Sequence, residues 1–118
     1  MEFVNLTPHD IIVKDPKTEI ITIFPTSGMV ARVEQSRITA SKVGGFTLEV
    51  LKSDKIIGFP KYIEPDTRYI VSSITYIGIP EAEPFWKRVC LCPNTSSFFV
   101  ERNDRGQILT VPGFCIPG

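Results

Sequence analysis

One histidine stands in this chain, His9, and a carboxylate follows it, Asp10. An imidazole beside a carboxylate can carry general acid–base chemistry when the carboxylate orients the ring and a reacting group lies within hydrogen-bond reach. Adjacent residues on a strand point to opposite faces, so this pair works only if a turn bends it. The competing reading has Asp10 capping a turn and His9 bonding a backbone carbonyl, and no nucleophile motif accompanies the pair. Six arginines, Arg32, Arg37, Arg68, Arg88, Arg102 and Arg105, are spread along the chain. Two or three of them converging would hold a phosphate in bidentate fashion; otherwise they are solvated charges on strand faces. Ser72-Ser73 and Asn94-Thr95-Ser96-Ser97 are clusters of small hydrogen-bonding groups that suit the lining of a polar ligand, or a plain connecting loop. Gly44-Gly45 is not followed by Lys-Ser or Lys-Thr, so the glycine-rich phosphate fingerprint is missing.

Cys90 and Cys92 fall on one face of a strand, and with Cys115 and His9 they make four potential zinc ligands. Structural zinc sites draw on thiols brought together by a turn, and an i, i+2 pair on a strand converges less well. Free thiols filling core space are the better reading. Phe85-Trp86 and Phe98-Phe99 could stack a base or serve as an interface or core patch.

The elements that must position these groups are short. Arg68 to Pro80 carries the longest apolar run without a charge. Its Tyr69-Ile70-Val71 suits a strand buried on both faces. Beyond it, either a helical turn capped by Ser73, with Ile74, Ile77 and Tyr76 on one face and Gly78-Ile79-Pro80 as the stop, or a strand continuing to Ile79 fits. Strands are expected at Glu2 to Leu6, Ile11 to Val13, Glu19 to Phe24 and Met29 to Glu34, separated by turns at Thr7 to Asp10, Asp15 to Thr18 and Pro25 to Gly28. Gln35 to Gly45 reads as a linking loop with a helical turn at Thr39 to Lys42. Phe46 to Lys52 alternates, with Phe46, Leu48 and Val50 on the core face, and Ser53-Asp54 turns it into a hairpin with Lys55 to Phe59. Arg88 to Cys92 is a short strand. Phe98 to Glu101 and Gln107 to Val111 form a hairpin about Arg102 to Gly106, and Pro112 to Gly118 is a tail.

This pattern predicts a mainly β domain spanning residues 1–118, a compact barrel or two-sheet arrangement with at most one or two short helices. The 118 residues are enough for one core, and ten prolines with eight glycines break any long helix. Thirteen basic residues balance thirteen acidic ones, which argues against a duplex nucleic-acid binder and against a membrane-surface protein. The first residues lack the basic and apolar regions of a signal peptide, and three cysteines are too few for a disulfide framework, so a cytoplasmic location is expected. No metal and no cofactor are implied.

Four ordered segments resemble a family of small proteins from phages, prophages and bacteria. Asn5-Leu6-Thr7-Pro8-His9-Asp10-Ile11 is similar to its opening Asn-Leu-Thr-Pro-His-x-Ile. Phe24 to Val33 resembles its Pro-Pro-Ser-Gly-x-x-Ala-Arg-Val segment. Tyr69-Ile70-Val71-Ser72 resembles its central Tyr-Ile-Val-Ser, and Arg102 to Ile108 its Arg-Asp-x-x-Gly-Gln-Ile hairpin. Where the family carries Arg and Asp before its Pro-containing loop, this chain has Arg88-Val89-Cys90-Leu91-Cys92-Pro93. The family has no established reaction. The resemblance implies a phage-type setting, inside the host cytoplasm, where small proteins counter host defences, some by sponging nucleotide signals. Binding chemistry without reaction chemistry then points to a non-catalytic protein that sequesters a small phosphate-bearing ligand. The expected site is Arg32 and Arg102 as phosphate clamps, Asn94, Thr95 and Ser96 with Ser72 and Ser73 as polar readers, and His9 beside Asp10 as a further donor. A pocket of this size is built more easily between subunits, so a symmetric homo-oligomer is expected. The alternatives are a small nucleotide hydrolase or lyase using His9, and a virion or host-protein interaction module using a β edge or the Phe85-Trp86 patch.

Overall fold

The computed structural model describes residues 1–117; the last residue of the tail, Gly118, lies outside them. Ten strands and two six-residue helices make up the described chain. The mainly β expectation holds, and the strands form several sheets, none closed into a barrel.

The central sheet has the order β1-β6-β7-β10, with β1 (Glu2–Asn5), β6 (Thr67–Ile70), β7 (Cys90–Pro93) and β10 (Phe114–Cys115). β1, β6 and β7 run parallel, and β10 is antiparallel to β7. The short turns of the sequence suggest a meander, but parallel neighbours need long crossovers, and here the connection from β6 to β7 runs through α1 (Ser73–Gly78) and α2 (Pro84–Val89). β6 enters the middle of this sheet because both of its faces are apolar. Tyr69 and Val71 join one core cluster with Leu6, Tyr76, Ile79, Trp86, Cys90 and Cys92, while Ile70 joins a second with Ile11 and Val111. Tyr69, Ile70 and Val71 are at most 1% exposed, as a strand buried on both faces requires.

Past β6 the chain takes the helical option. The cap is Ser72, one residue before the expected Ser73, and its hydroxyl oxygen accepts from the Thr75 amide. The face is also different from the expected one: Thr75 and Tyr76 are buried, whereas Ile74 and Ile77 point to solvent. α2 begins on Pro84 and buries Trp86 between Phe59 and Tyr69, with ring centroids 4.9 and 5.1 Å apart. The hairpin β2–β3 (Ile11–Lys14, Ile21–Phe24) forms as expected around its Asp15 turn, and β8–β9 (Glu101–Arg102, Ile108–Thr110) forms around the Asn103 turn, but its first strand is only two residues long because Phe98 to Val100, expected in it, is a turn.

The largest departure is β4 (Arg32–Val43) and β5 (Phe46–Ile57). The segment expected to be a loop, Gln35 to Gly45, is instead most of a twelve-residue strand and its turn. The turn lies at Gly44-Gly45, both at positive φ (57° and 85°), as a two-residue hairpin loop of primed type demands. Ser53-Asp54 is no turn: the register skips Asp54 as a bulge, and Ala40 is skipped in the same way on β4. The hairpin anchors at its base through Val33, against Gly78 of α1, and through Ile56, against the larger core cluster. Beyond that base it stands away from the body as an arm. The radius of gyration, 16.8 Å, exceeds the roughly 13–14 Å of a compact chain of this length.

Candidate functional site

The turn between β1 and β2 is shaped by one buried amide. Asn5 is 2% exposed, and its Oδ1 accepts from the Thr7 amide at 2.9 Å and the Thr7 hydroxyl at 2.7 Å. Its Nδ2 donates to the carbonyls of His9 at 2.8 Å and Phe24 at 2.9 Å. A residue at the end of a strand, bonding its own backbone two positions on, folds the chain into an Asx turn. That turn carries Pro8, His9 and Asp10 out to the surface. Asp10 is spent on structure, since its Oδ1 accepts from the Thr26 amide at 2.9 Å and ties the turn to the end of β3. The exposed imidazole of His9 therefore stands on a turn that Asp10 holds, as the capping reading has it for Asp10, but the ring makes no bond to a backbone carbonyl among the described residues.

This turn forms one wall of an open cleft of about 960 Å³. The start of α1 forms another, with Ser72, Ser73 and Ile74. Ser72 donates to the Thr75 hydroxyl at 2.8 Å, and Thr75 donates in turn to the carbonyl of Ala31 at 3.2 Å, which locks this end of the helix to the segment leading into the arm. Thr95 contributes from the loop after β7. The far wall is the β8–β9 hairpin with Arg102, Asn103 and residues 107–111. There Asn103 Oδ1 accepts the amides of Arg105 and Gln107, both at 2.9 Å, and Arg102 Nη1 donates to the carbonyl of Gly106 at 2.8 Å. A guanidinium has five N–H donors, so that bond orients Arg102 and leaves others to face the cleft.

Six of the nine residues expected at a site thus share one cleft: His9, Asp10, Ser72, Ser73, Thr95 and Arg102. They come from four separate stretches of the chain. The other three do not line it. Arg32 sits at the base of the arm, and Asn94 and Ser96 flank Thr95 without reaching the cleft, the amide of Asn94 being used on the Gly113 carbonyl. The lining has an apolar floor that the sequence reading missed, built from Ile11, Ile12 and Val111, with the exposed Ile74, Ile108 and Leu109 at its margin. The available signal was the apolar pair Leu109 and Val111, which share one face of a strand that packs beside β2. A volume near the upper end of small-molecule sites, an apolar floor and few polar groups at the rim are the features of a ligand cleft.

The remaining candidates separate from it. Cys90 and Cys92 are fully buried, and burial is the main cause that pushes their thiols up to about 12 and about 11. At neutral pH they are protonated, and thiols in that state are not nucleophiles. Among the described residues no cluster of three or more His, Cys, Asp or Glu side chains gathers as a metal site. The Phe85-Trp86 patch is split, with Trp86 in the core and Phe85 exposed under the Arg88 guanidinium at 5.4 Å. Phe98 and Phe99 pack edge to face outside the cleft. No helix among the described residues is long and apolar enough to cross a membrane. Compared with family models, with curated proteins and with solved structures, the chain gives no match.

Proposed function

We propose that this chain is a non-catalytic binding protein that sequesters a small phosphate-bearing ligand, most simply a nucleotide, in the cleft between the Thr7–Asp10 turn, α1 and the β8–β9 hairpin. The observation that carries the reading is the convergence of His9, Ser72, Ser73, Thr95 and Arg102 above an apolar floor. The floor suits the flat face of a base. Arg102 and His9 at the rim suit phosphate oxygens, Arg102 through charge-assisted hydrogen bonds and His9 as a further N–H donor. Asp10, whose carboxylate is engaged by the Thr26 amide, braces the wall. A hydrolytic reading would need a base oriented toward a reacting atom, and the carboxylate beside His9 is turned to another task. The family resemblance supplies a phage-type setting, in which the ligand would be a host nucleotide signal.

The test is calorimetry against cyclic dinucleotides, cyclic trinucleotides and ADP-ribose derivatives, followed by heating and recovery of the ligand. Binding with recovery of intact ligand supports sequestration, recovery of an altered ligand replaces it with the hydrolase reading, and no binding at micromolar concentration overturns the proposal. Arg102→Ala should weaken binding by about 1.5–3 kcal/mol, the value of a hydrogen bond to a charged group, while Arg32→Ala at the base of the arm should leave it unchanged.

A further inference from the structure

We infer that the β4–β5 arm is a dimerisation device, and that a second copy of this chain covers the apolar face near its tip. The pairing register fixes which side chains share a face. β5 alternates without interruption from Phe46 to Ser53, so Phe46, Leu48 and Val50 lie together, and their cross-strand partners are Val43, Ser41 and Ile38. The opposite face of the same rungs carries Thr47 and Glu49 against Lys42 and Thr39. The arm tip is therefore an amphipathic ribbon, apolar on one side and polar on the other. Among the described residues nothing covers the apolar side: Ile38 is 60% exposed, Val43 60%, Phe46 79%, Leu48 45% and Val50 51%. Such an alternation in the sequence marks a strand with one face in a core, and here the core is absent from the single chain. The two strands also form a sheet of their own, with no third strand. A lone two-stranded ribbon is marginal in water and needs a further layer.

The pattern itself selects a second copy as that layer. Its three apolar rungs are Val43–Phe46, Ser41–Leu48 and Ile38–Val50, with Ser36–Lys52 next along the ribbon. A two-fold axis through the middle rung lays the Val43–Phe46 rung of one arm on the Ile38–Val50 rung of the other. The small Ser41 leaves room across from Leu48, and each Ser36–Lys52 rung falls beyond the partner's glycine turn, in water. The strip is thus self-complementary, which an isologous contact requires and which a contact with an unrelated protein does not. Two such faces packed about 10 Å apart, as sheets pack, would bury on the order of 1,000 Å² in total, the lower bound of a specific interface. The polar faces carrying Lys42 and Glu49 would remain outside.

The test is sedimentation equilibrium of the full chain, with Leu48→Glu and with Val50→Lys, beside single-cysteine cross-linking. The wild type should sediment as a dimer. Each substitution should raise its dissociation constant by about thirty-fold or more, as loss of a central anchor does, while the urea midpoint of the body, read at Trp86, stays unchanged, because both positions are exposed on the arm. Under copper–phenanthroline oxidation Leu48→Cys, next to the axis, should give a covalent dimer, and Thr47→Cys on the polar face should not. A wild-type chain that sediments as a monomer at hundred-micromolar concentration overturns the inference. A dimer that neither substitution weakens, or that cross-links equally through Thr47→Cys, overturns it as well.

Discussion

Asn5→Ala is the substitution that best probes how the cleft wall is held. The Asn5 side chain makes four hydrogen bonds in a site that is 2% exposed. They are not all lost with it. The Thr7 hydroxyl has one proton and two acceptors in reach, Asn5 Oδ1 at 2.7 Å and the His9 carbonyl at 3.0 Å. On truncation the hydroxyl turns to His9 and keeps a partner, and His9 keeps one too. The Thr7 amide is left unsatisfied, while the Phe24 carbonyl keeps the ladder bond of its pairing with Ile11. One orphaned backbone amide at about 1–3 kcal/mol, with the lost bond to the Phe24 carbonyl at about 0.5–1.5 kcal/mol and some relief from water entering the vacated space, gives a loss of about 2 kcal/mol. That is a large share of the roughly 5–15 kcal/mol that holds a small domain together. Urea unfolding followed by tryptophan fluorescence reads it directly, since Trp86 sits in the core beside Tyr69. The midpoint should fall with an unchanged slope. Asn5→Asp separates the amide's donors from its acceptors. It keeps both acceptors, sets a carboxylate against two carbonyls, and should lose as much at neutral pH but recover part in acid, where the protonated carboxyl regains one donor. A loss below about 1 kcal/mol for Asn5→Ala would show that the turn does not depend on this amide, and the account of how His9 and Asp10 are placed would fall with it.

Gly58→Ala should destabilise the fold by more than about 2 kcal/mol, because Gly58 lies at φ 77° and an added Cβ would collide with the Val30 carbonyl, its carbon 2.8 Å away. Thermal unfolding checks this, and a variant melting with the wild type would refute it. The buried thiols make stability fall in alkali. Burial first, then the neighbouring Cys92 thiol, raises Cys90 from an ordinary 9.0 to about 12, and burial raises Cys92 to about 11. The unfolded chain releases these protons first as pH rises, so their contribution is whole below pH 9 and is lost between 9 and about 12. The urea midpoint of the wild type should drop more steeply from pH 8.5 to 10.5 than that of Cys90→Val, and parallel curves would count against the burial argument.

The body of the fold was legible where pattern and burial agree. Tyr69-Ile70-Val71 is apolar without alternation, and it became the strand between two core clusters. The Asn103 hairpin was legible because turn chemistry is local. The parallel order of β1, β6 and β7 was not, since it depends on crossovers whose ends lie far apart in the sequence. Ile74 and Ile77 were misplaced because six helical residues give too short a period to choose a face; Tyr76, with the larger area to bury, took the inside. Gly44-Gly45, placed by the sequence at the end of a linking loop, is a primed turn between two long strands. Its signal was present, a glycine pair followed by the alternation of Phe46 to Val50, but the polar Gln35 to Lys42 before it looked like a loop. A strand exposed on both faces looks like one, because the pattern that marks strands is made by burial.

That last point joins the arm to the cleft. The expected site was assembled from residue types alone, and residue types cannot separate a clamp from a solvated charge. Arg32 and Arg102 have the same chemistry, both are exposed, and both stand at a strand end. What separates them is where the neighbouring apolar surface goes. Arg102 is paired with Ile108 at the margin of a cleft within the chain that Ile11, Ile12 and Val111 floor. Arg32 begins a strand whose apolar residues leave the body and stay exposed toward its tip. The hydrophobic residues that the fold fails to bury are thus as informative as the polar ones. Near Arg102 they leave an open concavity of a size to hold a small molecule, and along β4–β5 they leave a flat strip that only another surface can cover. Dimerisation through the arm and occupation of the cleft are therefore separable: Leu48→Glu should give monomers that retain whatever affinity the cleft has, and Arg102→Ala should give dimers that have lost it.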